Sequence, residues 1–367
     1  MPYNILVEIS ERLQALPSIR SMLSRSFIEK SLFTWISNRY IQKDTPNLFI
    51  EYLENEANEV VKTTTSWVPI ANLETEVPFP ISNSEVRPIS KIMIEKWEAN
   101  CASSPNSSRA DVKTFFDDIR KKYQGLAAVV TSITAEPQYA YEYAIEEAKL
   151  VSSILGIFSG ATLIPDVKCV SKIKGSELIE QATAIFDGGE SDISLSSSMI
   201  DLSSAKSWRL SQRDIVEIRK CGLDTLSSLL SQNALNGFKK SVLNAALLYS
   251  KSAFTSDPVE KVVYILSSME SILLKNENEP IQQNLAERLA VFTAHKLKER
   301  KRIIKTVRSA YGVRSRYLHH GHTSSELKLI EDFMMCAWIF FIQLLENTER
   351  FDSQEEFVGA IDDHKLG

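Results

Sequence analysis

Arg314 and His319, five residues apart, are the two residues whose types suit chemistry on a phosphodiester, although their spacing alone does not establish it. A guanidinium is a rigid fork of donors matched to phosphate oxygens, and it neutralises the charge that builds on them at the transition state. Histidine, titrating near neutrality, takes or gives a proton. RNA carries its own nucleophile in the 2′-hydroxyl. One group that removes its proton and a second that protonates the departing 5′-oxygen are then sufficient, leaving 2′,3′-cyclic phosphate and 5′-hydroxyl ends. This chemistry requires no metal, and the sequence shows no carboxylate cluster suited to one. Gly156, Gly160 and Gly175 lack the spacing of a nucleotide-binding loop, so no cofactor is expected. His320 stands beside His319, and an arginine-to-histidine spacing one residue longer is equally permitted.

Other roles compete for the same residues. Val307, Tyr311 and Arg314 are four and three residues apart and share one face of a helix, which turns Arg314 toward packed surface. An arginine so placed snorkels, pairs with a carboxylate such as Glu270, or binds an anion. On an ideal helix Arg314 and His319 are about 7.5 Å apart along the axis and on different faces. A loosened last turn before Gly321 would let both reach one phosphate. A histidine beside a glycine is more often a helix end or a surface residue than a catalyst. His295 and His364 lack even this context.

Charge gives the motif a setting. The chain carries a net charge of -5, yet Lys296 to Arg316 holds nine basic residues against Glu299 alone, about +8 in that run and -13 elsewhere. Arg300, Lys301, Arg302, Lys305, Arg308 and Arg316 are expected to contact an RNA backbone, since a local basic field on an acidic protein attracts phosphate. The competing reading is a solvated helix face.

The elements that must position these residues are mostly helical. Residues 1 to about 60 show helix-like apolar spacing, and Val61 to Ile94 has strand-and-turn texture, with Thr63, Thr64, Thr65 and Trp67 ahead of prolines. Helices are expected over Asp111–Tyr123 and Tyr139–Phe158, a strand over Ala161–Ser171, and an exposed loop or a boundary between domains over the Ser/Asp-rich Gly188–Ser207. Helices then follow to Leu230 and over Leu235–Tyr249. The next starts at Asp257, with Pro258 in the first helical position and Glu260 completing a capping box. Further helices are expected over Ile281–Ala294 and Lys298–Val313. A capping box of Thr323 and Glu326 opens a last apolar helix containing Phe333, Met334, Trp338 and Phe341. Four helices with short connections describe a bundle.

The run Tyr311-Gly312-Val313-Arg314-Ser315-Arg316-Tyr317-Leu318-His319-His320-Gly321 resembles the signature of the HEPN superfamily, in particular its ApeA-like branch related to bacterial abortive-infection proteins. Ser267-Ser268-Met269-Glu270-Ser271-Ile272-Leu273-Leu274 and Ala286-Glu287-Arg288-Leu289-Ala290 resemble two further segments of that family, so the likeness covers about 95 residues. It implies a helical, metal-independent endoribonuclease domain with Arg314 and His319 as the catalytic pair. Ser315 takes the polar position after the arginine, Glu270 supports, and His320 is the rival histidine. It also implies dimerisation that sets two motifs across one cleft.

The expected architecture is α+β: a mixed N-terminal regulatory or sensing region over 1–207, an all-α HEPN-like bundle over 208–350 with its motif core at 255–350, and a tail over 351–367. Length and an apolar content of 44% support more than one core. Cys101, Cys169, Cys221 and Cys336 are too scattered for a zinc site or disulfide scaffold, and no apolar run reaches membrane-spanning length, so a cytoplasmic protein is expected. The expected function is RNA cleavage in anti-phage defence or toxin-like growth control. RNA, a second copy and a protein or phage-derived trigger would be the partners. The alternatives are a catalytically inactive RNA- or protein-binding module and a helical scaffold.

Overall fold

The computed structural model describes residues 3–41, 45–103, 108–175, 181–187, 193–199, 208–232, 234–276, 278–320 and 326–366. In chain order the first elements are α1 (Tyr3–Gln14), α2 (Arg25–Ile41), α3 (Phe49–Val60), β1 (Lys62–Pro69), β2 (Leu73–Thr75), β3 (Phe79–Ile81) and β4 (Ser84–Pro88). Then come α4 (Lys91–Ala102), α5 (Arg109–Tyr123), β5 (Ala127–Ala135), α6 (Pro137–Ile157), β6 (Gln181–Asp187), β7 (Ile193–Met199) and β8 (Trp208–Leu210). The remainder is helical: α7 (Gln212–Ile218), α8 (Asp224–Ser231), α9 (Gly237–Lys251), α10 (Pro258–Leu273), α11 (Ile281–Thr293), α12 (Leu297–His320), α13 (Leu327–Glu346) and α14 (Gln354–Leu366). The fold is therefore mixed α+β with a helical C-terminal half. Its contacts gather into two compact units, one of Met1–Pro69 with Ala128–Lys149 and one of Ile70–Ala127 with Leu150–Gly367.

In the first unit β1 lies antiparallel to β5, with Lys62 opposite Ala135 and Val68 opposite Val129. The hydroxyls of Thr63 and Thr134, and of Thr65 and Ser132, meet across the strands at 2.8 Å, which explains why threonine suits this pair. Ile19, Leu23, Ile28 and Leu53 form the core beneath α1, α2 and α3. Buried Glu136 accepts hydrogen bonds from the backbone N–H groups of Ser24, Gln138 and Tyr139. A carboxylate at this helix start satisfies orphan donors and meets the positive end of the dipole, while Pro137 fits the first position.

In the second unit β3 and β4 form a hairpin, β2 pairs in parallel with β8, and β6 pairs antiparallel with β7. The last pairing corrects an expectation: Ile193–Met199, in the Ser/Asp-rich stretch expected as an exposed loop or a boundary between domains, is a strand. The rest of Gly188–Ser207 lies outside the described residues.

The strand expected over Ala161–Ser171 is absent. Gly160–Thr162 is a 3₁₀ turn, and the chain beyond it bends so that the carbonyls of Ala161, Ile164 and Val167 all accept from the Lys261 ammonium. A straight strand cannot converge three carbonyls on one nitrogen. Lys261 is fully buried on α10, and burial draws its pKa down to about 8.

The helix expected to run to Leu230 is broken. Arg219–Leu223 forms a π-helical turn with Gly222 at φ 101°, between α7 and α8. A Cβ on Gly222 would sit 2.5 Å from Leu345 Cδ1, so both the backbone and the packing demand glycine. Gly222→Ala is expected to destabilise the protein by about 3 kcal/mol, combining left-handed strain with overpacking. The check is a fall in the urea midpoint at unchanged slope.

Around α10 the helices α9, α11, α12, α13 and α14 close a core that includes Val262, Leu266, Leu289, Val307, Phe333 and Phe341. Tyr249 stacks on Phe341 with centroids 4.8 Å apart. Asp257 caps α10 as expected, accepting from the N–H groups of Val259 and Glu260, with Pro258 at the first position. Glu260 does not complete the box. Its Oε2 accepts from Thr255 Oγ1, which in turn accepts from the Asp257 N–H. The expected cap of α13 at Thr323 lies outside the described residues. In the stretch expected as a tail, Gln354–Leu366 is helical and buries Phe357, Val358 and Ile361.

Candidate functional site

The basic helix α12 has two unlike sides. Ile303, Val307, Ala310 and Val313 are buried, while Lys298, Lys301, Arg302, Lys305 and Arg308 are exposed. At 100° per residue these five cations fall within an arc of about 120°. Among the described residues none of the five is in an ion pair.

The other two basic residues expected to bind RNA are engaged within the chain. Arg300 is half-buried, its Nε donating to the Ala294 carbonyl at 2.8 Å beyond the end of α11, with a second nitrogen 3.4 Å from His364 Nε2. Arg316 pairs with Glu326 at 3.0 Å.

Arg314 faces α10. Its guanidinium meets Glu270 Oε1 at 2.5 Å, and the same oxygen accepts from the Tyr311 hydroxyl at 2.7 Å. The side chains of Arg314 and Glu270 are 25% and 20% exposed, so the pair is half-buried and opens to solvent on one side. Burial, reinforced by the bond to Glu270, pushes the Tyr311 phenol far above its usual range, leaving it a donor at any physiological pH. Of snorkelling, carboxylate pairing and anion binding, the structure builds the pairing of Arg314 with Glu270. Farther along the antiparallel helices Tyr317 approaches Glu260 at 3.4 Å, a weak contact. Ser315 is exposed.

The helix expected over Lys298–Val313 runs on to His320, so a loosened turn, which would let both residues reach one phosphate, is not present there. Positions 314 and 319 are therefore about 140° apart around the axis, and position 320 is about 120° from 314 on the other side. Position 319 follows Lys301 by eighteen residues, five whole turns, which puts it on the cationic side of the helix. Position 314 therefore falls on a different face of α12 from positions 319 and 320. The side chains of His319 and His320, and residues Gly321 and His322, lie outside the described residues.

A second polar cluster was not foreseen. Arg288 is buried where α11, α14 and the end of α10 meet, donating to both oxygens of Asp362, to Glu279 at 2.6 Å and to the Leu273 carbonyl at 2.7 Å. Lys275 also pairs with Asp362. Arg288 lies in one of the segments quoted for the family resemblance, but no spacing rule links it to an acid seventy-four residues away. Among the described residues no three His, Cys, Asp or Glu side chains gather as a metal site, and no helix is long and apolar enough to cross a membrane.

Comparison of the chain with protein-family models, with curated proteins and with solved structures gave no match.

Proposed function

We propose that residues 255–350 form a HEPN-like RNA-cleaving module and that the protein is a metal-independent endoribonuclease of the anti-phage defence or toxin type. The observation that carries this reading is the row of five exposed cations on α12, with no ion pair among the described residues, in a chain of net charge -5, leading to position 319 on the same side. Solvated helix faces ordinarily mix signs; a row the fold leaves unneutralised attracts a phosphate backbone. Arg314, steadied by Glu270 and Tyr311, supplies the rigid guanidinium for the scissile phosphate, and His319 transfers the proton. Since positions 314 and 319 occupy different faces of one helix, the reacting pair is completed across a dimer, the arginine of one copy working with the histidine of the other. The N-terminal region then controls the module in response to a trigger.

The test compares wild type with His319→Ala and His320→Ala on a labelled RNA in excess EDTA. Loss with one histidine variant alone assigns the proton-transferring group. Equal cleavage by all three removes the proposed histidine, and cleavage abolished by EDTA in the wild type removes the metal-free mechanism.

One observation favours a second reading, a catalytically silent RNA- or protein-binding module: the Arg314 charge is already met by Glu270. RNA affinity without cleavage under any activating condition would select it.

A further inference from the structure

The first unit holds an apolar groove of about 540 Å³ between α3 and the turn joining α1 to α2. Its floor is the unit's own core, Ile19, Leu23 and Leu53, and Leu16 and Ile50 stand at its edge 43% and 39% exposed. Leaving two large aliphatic side chains at the mouth of a groove costs hydrophobic free energy that a covering group recovers.

The helix forming one wall is unusually acidic. In α3 the sequence FIEYLENEANEV contains four glutamates and no lysine or arginine. Glu54 lines the groove, and Glu51 lies one turn before it on the neighbouring flank. Glu51 and Glu54 are three residues apart, as are Glu56 and Glu59, so each pair repels its own helix. Among the described residues none of the four is in an ion pair. The opposing turn brings one exposed cation, Arg20, which leaves the α3 side acidic.

From these features we infer that this groove is a docking site for a short amphipathic protein segment, with apolar anchors that enter between Leu16 and Ile50 and lysine or arginine flanks that meet Glu51 and Glu54. From Ile50 to Ala57 the wall is about 10.5 Å long, the length of two helical turns, so the segment inserts two or three apolar side chains at helical spacing. Apolar burial supplies the affinity, and the unpaired carboxylates select basic flanks and speed encounter. The inference stands independently of RNA cleavage.

The test uses the full chain and a displayed library of random fourteen-residue peptides. Enriched sequences should carry apolar residues at i, i+3 or i+4, and i+7, flanked by lysine or arginine. Ile50→Glu should weaken the enriched peptides by about tenfold or more, and Glu51→Lys with Glu54→Lys should do the same while turning selection toward acidic flanks. These positions are exposed, so the variants keep the core, and unchanged circular dichroism checks this. No enrichment, or peptides that bind Ile50→Glu as well as wild type, would overturn the site. Enriched sequences of neutral or acidic flank would overturn the charge argument. Concentration-dependent dimerisation lost in Ile50→Glu would give the groove to a second copy instead.

Discussion

Arg288→Met is expected to cost about 3–5 kcal/mol of stability, the range for removing one partner from a buried ion cluster. Arg288 is 6% exposed and meets two carboxylates and a carbonyl at once. Methionine fills much of the volume but strands Glu279, whose side chain is 12% exposed, and unlinks Asp362 of α14 from α11. The bond from Arg288 is the largest influence holding the Asp362 carboxyl below its usual range. For Glu279 burial pushes upward, but bonds from Asn284, the Lys275 N–H and Arg288 outweigh it, and the net shift is also downward. Carboxyls depressed in the folded state stabilise it fully above their ordinary values of 3.8 and 4.5, and that stabilisation is lost as pH falls through the folded values. The gap between wild type and Arg288→Met in urea unfolding should therefore be widest at neutral pH and narrow below about pH 4. A gap under about 1 kcal/mol at pH 7 would show the cluster to be a surface-grade interaction. Replacing Arg288, Glu279 and Asp362 together by apolar residues should recover much of the loss.

On the proposed RNA-cleaving reading, Arg314→Ala is expected to lower the rate of cleavage by about 10²–10³-fold, the usual cost of one preorganised donor at a developing anion. Arg314→Lys should restore little, because an ammonium does not reproduce the fork. Glu270 makes the measurement more informative. Glu270→Gln keeps an oxygen for Tyr311 and removes the negative charge, so a positioning role predicts a smaller rate loss than Arg314→Ala and no further loss in the double variant. Single-turnover rates for the four proteins close the cycle. Cleavage by Arg314→Ala within about threefold of wild type would remove the arginine from the chemistry.

Much of the helical half was legible in the sequence because its determinants are local. Asp257 and Pro258 mark the start of α10, and the spacing of Val307, Tyr311 and Arg314 places the arginine against α10, where Glu270 meets it. The failures share a cause in contacts distant along the chain. Ala161–Val167 has strand-like composition, but Lys261, about a hundred residues on, draws its carbonyls to one point. Gly222 interrupts a helical pattern because Leu345 leaves no room for a side chain. The basic row was visible as composition, but its division into five cations with no ion pair among the described residues, and Arg300 and Arg316 engaged elsewhere, needed three dimensions.

The unbroken course of α12 also acts as a ruler. Position 319 is eleven residues past Arg308, about 16.5 Å along one stiff axis. If RNA is gripped on the cationic row and cut at that position, the offset between grip and cut is set by helix length and not by the bases. The imprint of such an enzyme on its products would then be a preferred distance from a held end, laid over little preference for sequence.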